Sequence, residues 1–422
     1  MISQYAASVP CRFRSLLHSL FTWTSDFIRS LYPQGVCPPS YIHFFIVGAV
    51  LFSIPLAFLT IAVATSIITS STHQTTVSLP DPATFEKNNG TKWHIEYVGD
   101  IQFTGAMEAQ GLGGDKCRSS ILGGQHIWNC GDMTCGVLAV CGFNMGPAFY
   151  GTTDVRTINT SAHGNIGDYE FASPWHGDPK PVSPQFAYGM DTSNVAAVND
   201  TTGIAYVWEI TRGTADVAAV DHGAGVVAVT LGDTQPIATR LGPLLTGADS
   251  VQLGLLAIMR VDEYIYNYNQ QGPTGNIIVG RVEAGDAAFD PGRYEYLTFG
   301  TVNTPTWIPG IPSTTNVTSY GMRSADYGGR FACQQYGSVF WNNYFGRYML
   351  MCTLYMDFTF FYLASNPWGP WSTGYKLLDK SGRPGYGVSA HPSYSPGNDH
   401  RELYFSQGPN GPFNMFRVTF YY

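Results

Sequence analysis

Between Gly99 and Asp132 the chain reads GDIQFTGAMEAQGLGGDKCRSSILGGQHIWNCGD, which sets Asp100, Glu108, Asp115 and Asp132 among eight glycines and two cysteines. Carboxylates are the side chains that cleave glycosidic bonds. One protonates the leaving oxygen and a second serves as base or nucleophile. Asp115 closes GLGGD, where the glycines permit a tight turn and close backbone approach. Asp132 closes IWNCGD, directly after an apolar run carrying Trp128. Asp100 and Glu108 read as strand-end acids. A third acid has to come from further along the chain, and Asp221 in AVDHGAGVVAV, flanked by apolar runs and adjoining His222, is the choice. Turn stabilisation is the competing role for each aspartate, because Asp commonly accepts hydrogen bonds from its own backbone.

Other chemistries are excluded by what is missing. The chain has no His-Glu-x-x-His, no Gly-x-Ser-x-Gly and no Gly-x-x-x-x-Gly-Lys. No Cys-x-x-Cys occurs, and His126 is the one histidine close to the cysteines of this stretch, so no metal is expected. No cofactor is expected either. Trp128, Trp175, Tyr264, Tyr266, Trp341 and Trp371 are candidate stacking platforms for sugar rings, although most aromatics in an all-β domain pack in its core. Trp175 stands apart in the polar loop SPWHGDP.

The elements that must position these residues are short strands. From Trp93 onward, runs such as WHIEYV, GIAYVWEIT, GVVAVTL, LGLLAIMRV, YIYNYN, NIIVGRVE, RYMLMCTLY, FTFFYLAS and FNMFRVTFYY recur between Gly, Asn, Asp and Pro turns. The 47 glycines and 26 prolines follow no collagen period and supply those turns. Residues 93–422 are many for one sandwich, whereas five blades of about 66 residues each suit the length. The WHIEYV strand is expected to close the domain against FRVTFYY.

Ahead of this domain, residues 43–68 contain no Asp, Glu, Lys or Arg, and a span of about 20 apolar residues crosses a bilayer. Arg12, Arg14 and Arg29 all precede the segment and no Lys or Arg follows it until Lys87. The positive-inside rule then leaves the N-terminus cytoplasmic and the bulk of the chain outside. About 40 residues precede the apolar run, too many for an ordinary signal peptide, so an uncleaved anchor is expected. The expected organisation is a cytoplasmic tail over 1–41, a signal anchor over 42–69, a linker over 70–92 and an all-β, five-bladed propeller over 93–422. Within the tail, 13–32 has apolar residues at helical spacing, which fits an interfacial helix or a weakly ordered tail.

Two features agree with an outside domain. Asn89, Asn159, Asn199 and Asn316 are sequons, all beyond the span. Six of the eight cysteines lie there, and disulfides are expected, Cys333 with Cys352 across a hairpin and local bridges among Cys117, Cys130, Cys135 and Cys141. Of the 22 basic and 30 acidic residues, 19 and 29 lie beyond residue 73. So acidic a domain, without Lys/Arg runs, is not built to grip phosphate backbones, and no nucleic-acid partner is expected.

Several segments together carry a family likeness. GLGGD followed by GGQHIWNCGD, then IYNYNQ, IIVGRVEAGDAAFDPGRYEYL, YGSVFWNNYFGRYMLM, SNPWGPWS and HPSYSPGNDHRELYFSQ resemble, in this order, an extracellular five-bladed propeller family of which some members are endo-D-arabinanases. The resemblance covers residues 95–422, is more specific in the last two blades and is looser between Gly142 and Ala248. It implies acids at Asp115 and Asp132, and it aligns His391 with a His-Pro that orients a sugar hydroxyl or approaches a central ion. The expected function is therefore that of a membrane-anchored glycoside hydrolase on furanose-containing polysaccharides. Asp115, Asp132 and Asp221 are its catalytic candidates, and Trp128, Trp175, His222 and His391 its substrate-binding ones. The alternative is a non-catalytic glycan- or protein-binding propeller.

Overall fold

The computed structural model describes residues 93–421, apart from 137, 161–163, 169–170, 178–187, 213–218, 272–274, 299–304, 379–384 and 409–410. Residues 1–92, with the expected tail, anchor and linker and the Asn89 sequon, lie outside the described residues. Among those described, no helix is long and apolar enough to cross a membrane. The chain divides into two units, Met1–Thr76 and Val77–Tyr422, and every described strand belongs to the second.

This unit is all-β. Five sheets of four or five strands follow one another along the chain, with a small three-stranded sheet (Gly113–Gly114, Met133–Thr134 and Phe143–Asn144) at the first. The inner strands are Cys117–Leu122, Ala196–Ala197, Ala257–Val261, Gln334–Asn342 and Ser389–Ala390. Each packs against the next and the last returns to the first, so the sheets form a closed, propeller-like ring. The fifth sheet is completed from both ends of the unit: Trp93–Asp100 runs antiparallel to Asn414–Phe420, Trp93 opposite Phe420, as expected for WHIEYV and FRVTFYY. Pairing the two ends removes the longest edges a ring would otherwise expose.

Alternation along single strands explains why the sheets stack. In Thr202–Thr211, Ala205 and Val207 pack with Ile127, Trp128 and Phe149 of the first sheet. Ile204 and Tyr206, one residue out of phase, pack with Ile258, Ile265 and Tyr296 of the third. Successive side chains leave a strand on opposite faces, so a strand buried on both must be apolar throughout. Tyr266 and Tyr268 likewise meet Val339, Leu350 and Tyr362 of the fourth sheet. Phe340, Met349 and Phe361 meet Leu403, Phe405 and Phe416 of the fifth. Burying each such side chain contributes about 1.5–3 kcal/mol.

The six outer cysteines form three disulfides, Cys117–Cys130, Cys135–Cys141 and Cys333–Cys352. The first two are the local bridges and the third the hairpin bridge expected from the sequence.

Candidate active site

The N-terminal ends of the inner strands gather at one mouth of the ring, and the acids of the first sheet lie there. Gly113–Gly114 pairs with Met133–Thr134, which brings Asp115 beside Asp132, and the Asp115 amide donates to the Asp132 carbonyl at 3.1 Å. A Cβ at Gly114 would overlap that carbonyl, and one at Gly387, where φ is +58°, would overlap the Asp115 carbonyl. Glycine is required at both positions because backbone meets backbone there.

Asp115 is 9% exposed, and the Tyr386 hydroxyl donates to its Oδ2 at 3.3 Å. Burial is the strongest influence and holds the carboxyl above the usual carboxylate range. Lys116 and Arg212 pull against this, as does the Tyr386 hydrogen bond, while the negative charge of Asp191 adds to it. Lys116, the next residue, is fully buried and places Nζ 2.6 Å from Asp191 Oδ2 and 3.9 Å from the centre of the Tyr336 ring. Burial lowers its ammonium to about 8 against the attraction of Asp191. Asp191 is held in turn by the Thr192 amide, which donates to Oδ1 at 2.8 Å. Arg212 extends from the end of strand Thr202–Thr211 to pair with Asp132.

Three acids, Asp115, Asp132 and Asp191, thus lie at this end of the ring, Asp132 paired with Arg212 and Asp191 with Lys116. Among the described residues no group of three or more His, Cys, Asp or Glu is arranged to hold a metal ion. Past Arg118, toward the C-terminal ends of the inner strands, the channel holds an open cavity of about 500 Å³ with Ile121, Asn194, Met259, Ser338 and Pro392 among its lining; Asp115, Asp132 and Asp191 do not line it. Arg118 crosses the channel and donates to the carbonyls of Thr192, at 3.5 Å, and Leu255.

The other candidates from the sequence lie elsewhere. Asp221 sits on Val220–Leu231, outside the inner strand of its sheet, and accepts from the Trp208 indole at 2.7 Å, the Gly223 amide at 3.1 Å and Gln252 at 3.4 Å. That set of donors gives it a structural role, and no bond joins it to Asp115. His222 Nε2 lies 2.8 Å from Thr211 Oγ1 on the neighbouring strand. Trp175 is half-buried in its loop. Trp128 and His391 must be corrected as sugar-binding residues, because both are fully buried and offer no surface to a ligand. The Trp128 indole donates to Tyr394 Oη at 2.9 Å. His391 has Ser119 Oγ 2.8 Å from Nδ1 and Ser406 Oγ 2.9 Å from Nε2, and burial lowers its pKa to about 3. Asp100, bonded to Tyr97 and Asn414, ties the closing strands together.

Sequence reasoning missed Lys116, Asp191, Arg212, Tyr336 and Tyr386. A signal existed for Lys116 alone, a lysine set between Asp115 and Cys117 directly before the strand Cys117–Leu122.

No protein-family model and no curated protein matches the chain. Among solved structures, a proposed hydrolase from Bacteroides ovatus aligns with 13% identity and a TM-score of 0.50, covering 76% of this chain and 87% of that one. An exo-β-1,3-galactanase from Phanerochaete chrysosporium, solved with galactose, aligns with 12% identity and a TM-score of 0.42, covering 77% and 64%. An α-L-arabinofuranosidase from Podospora anserina, solved with cellotriose, aligns with 9% identity and a TM-score of 0.33, covering 77% and 98%. At these identities the likeness concerns the fold alone, and the fold this chain shares with the Bacteroides protein is an all-β ring of sheets.

Proposed function

We propose that this chain is a five-bladed β-propeller glycoside hydrolase acting on furanose-containing polysaccharides, tethered to a membrane by its N-terminal apolar segment and glycosylated on its outer domain. The observation that carries the reading is the Asp115 carboxyl, buried at the mouth with its pKa raised, next to an Asp132 carboxylate paired with Arg212. A carboxyl that burial makes hold its proton more tightly is suited to protonate a leaving glycosidic oxygen. The partner carboxylate would then activate a water or attack the sugar. Lys116 and Asp191 set the charge around Asp115, and Tyr386 fixes one carboxyl oxygen.

A second reading, a ring that binds glycan without cleaving it, draws on the Arg212–Asp132 ion pair, which engages the carboxylate that hydrolysis would need. The two part on one experiment. The wild type, Asp115→Asn and Asp132→Asn are assayed against linear arabinan and other furanoside polymers, with melting temperatures measured in parallel. Hydrolysis lost in both folded variants supports the enzyme, whereas wild-type turnover in both removes these residues from catalysis. Retention or inversion of the released anomer then reports whether the carboxyls stand about 5–5.5 Å or about 6.5–9.5 Å apart.

A further inference from the structure

Three tyrosines from the fourth and fifth sheets rise in steps out of the acidic mouth. Tyr336, 8% exposed, lies lowest with the Lys116 ammonium over its ring. Tyr386, half-buried, meets it edge to face at 5.8 Å and turns its hydroxyl to Asp115. Tyr355, 60% exposed, meets Tyr386 edge to face at 5.2 Å.

Tyr355 stands at the tip of the hairpin between Arg347–Thr353 and Thr359–Ala364, and that tip is pinned. Its amide donates to Gln334 Oε1 at 2.6 Å. Leu354 donates to the Phe358 carbonyl at 3.1 Å and Asp357 to that of Leu354 at 3.0 Å, which closes the turn. The Gly385 amide, one residue before Tyr386, donates to the Asp357 carbonyl at 3.0 Å and ties the tip to the fifth sheet. Met356, exposed beside the ring, holds φ at +56°, a conformation that non-glycine residues adopt at a cost. A lone exposed tyrosine on a loose loop would need no explanation. This ring stands on a pinned turn and is continuous, ring to ring, with the group that hydrogen-bonds Asp115.

We propose that Tyr355 is a sugar-stacking platform, taking a ring of a linear polysaccharide next to the unit presented to Asp115. The inference rests on the proposed glycan-binding function and deepens it, because it requires an oligomeric rather than a single-sugar ligand. Sugar rings carry one face of C–H groups, which suits an aromatic face, and hydroxyl edges, which suit the carboxylates below. A pre-positioned ring spends little conformational entropy on binding. The step from Tyr386 to Tyr355 is on the scale of one sugar ring.

Binding and cleavage are separated by experiment. In the Asp115→Asn protein, Tyr355→Ala and Tyr355→Trp are compared by isothermal titration calorimetry with linear arabino- and galacto-oligosaccharides of graded length. Melting temperatures should stay unchanged, because the ring is exposed. Tyr355→Ala is expected to weaken binding of the longer oligosaccharides about tenfold, the size of one aromatic contact, and to leave monosaccharide binding unaltered. Tyr355→Trp should keep the affinity. Equal affinity in Tyr355→Ala and its parent overturns the platform and leaves the glycan reading standing. A parent that binds none of the oligosaccharides overturns both. Binding that depends on Tyr355 in a protein whose wild type cleaves nothing upholds the platform and removes the hydrolase.

Discussion

The inner strand Cys117–Leu122 has two ends with opposite electrostatics. At its start, Asp115 and Lys116 belong to a cluster of charges arranged in pairs: Lys116 with Asp191, and Arg212 with Asp132. Further along, Ser119 belongs to a neutral chain, Ser119–His391–Ser406, packed beside Trp128. Both regions bury polar groups, and burial dominates the pKa of the groups it shifts in each. At the mouth it leaves Asp115 raised above the usual carboxylate range and Lys116 lowered to about 8. Inside, it drives the His391 pKa so low that the imidazole stays uncharged and only joins two sheets. The same physical cost thus leaves perturbed charged groups where counter-charges are present, and a neutral join between sheets where they are absent.

Four substitutions would break or sharpen that contrast. Asp115→Asn is expected to lower turnover by about 10²–10⁴, the loss typical of an essential proton donor, while the melting temperature holds or rises because a buried carboxyl is removed. Steady-state kinetics with parallel thermal melts checks this, and a folded variant at full turnover would refute the donor role.

Lys116→Met comes next. Asp191 would be left buried without its cation, at a cost of about 3–5 kcal/mol, and adding Asp191→Asn should restore most of it. Between the folded value of about 8 and the unfolded 10.5 the unfolded chain binds the extra proton, so wild-type stability rises with pH across that window. The variant should lack this slope. Since Lys116 lowers the Asp115 pKa, the alkaline limb of kcat/KM should also move to higher pH in the variant. Chemical denaturation and a pH–rate profile measure the two effects.

At the neutral end, His391→Gln isolates the histidine's linkage. The unfolded imidazole takes up a proton below 6.5 and the folded one only near 3, so wild-type stability falls as pH drops through that interval, by roughly 4–5 kcal/mol from this group. Urea titrations at several pH values should show a shallower acid dependence in the variant. A slope unchanged by the substitution would mean that the imidazole is accessible to protons in the fold. Ser119→Ala, the smallest change, leaves His391 Nδ1 without its partner and should cost about 1–3 kcal/mol without altering any pH–rate profile.

Strand content, the Cys333–Cys352 bridge and the closing pair of strands were legible in the chain, because each depends on local pattern, whereas the pairing among the other four cysteines was not. Short apolar runs, Gly and Pro punctuation and an even cysteine count outside the apolar segment are properties of neighbouring residues. That Asp115 and Asp132 meet through their backbones was also legible, since both flank one short hairpin. Lys116–Asp191 and Tyr386–Asp115, by contrast, join residues 75 and 271 positions apart, and each partner alone looks like an ordinary strand or turn residue. Trp128 and His391 show the reverse failure. An aromatic and a histidine in a suggestive motif read as ligand-facing, but ring closure turned both into the core. The residue types and their periodicity determined an all-β chain with acids in its first sheet. Only closing the ring decided which acid is buried, which cation stands beside it and which aromatic stays in water, because desolvation and pairing depend on distances that no single strand contains.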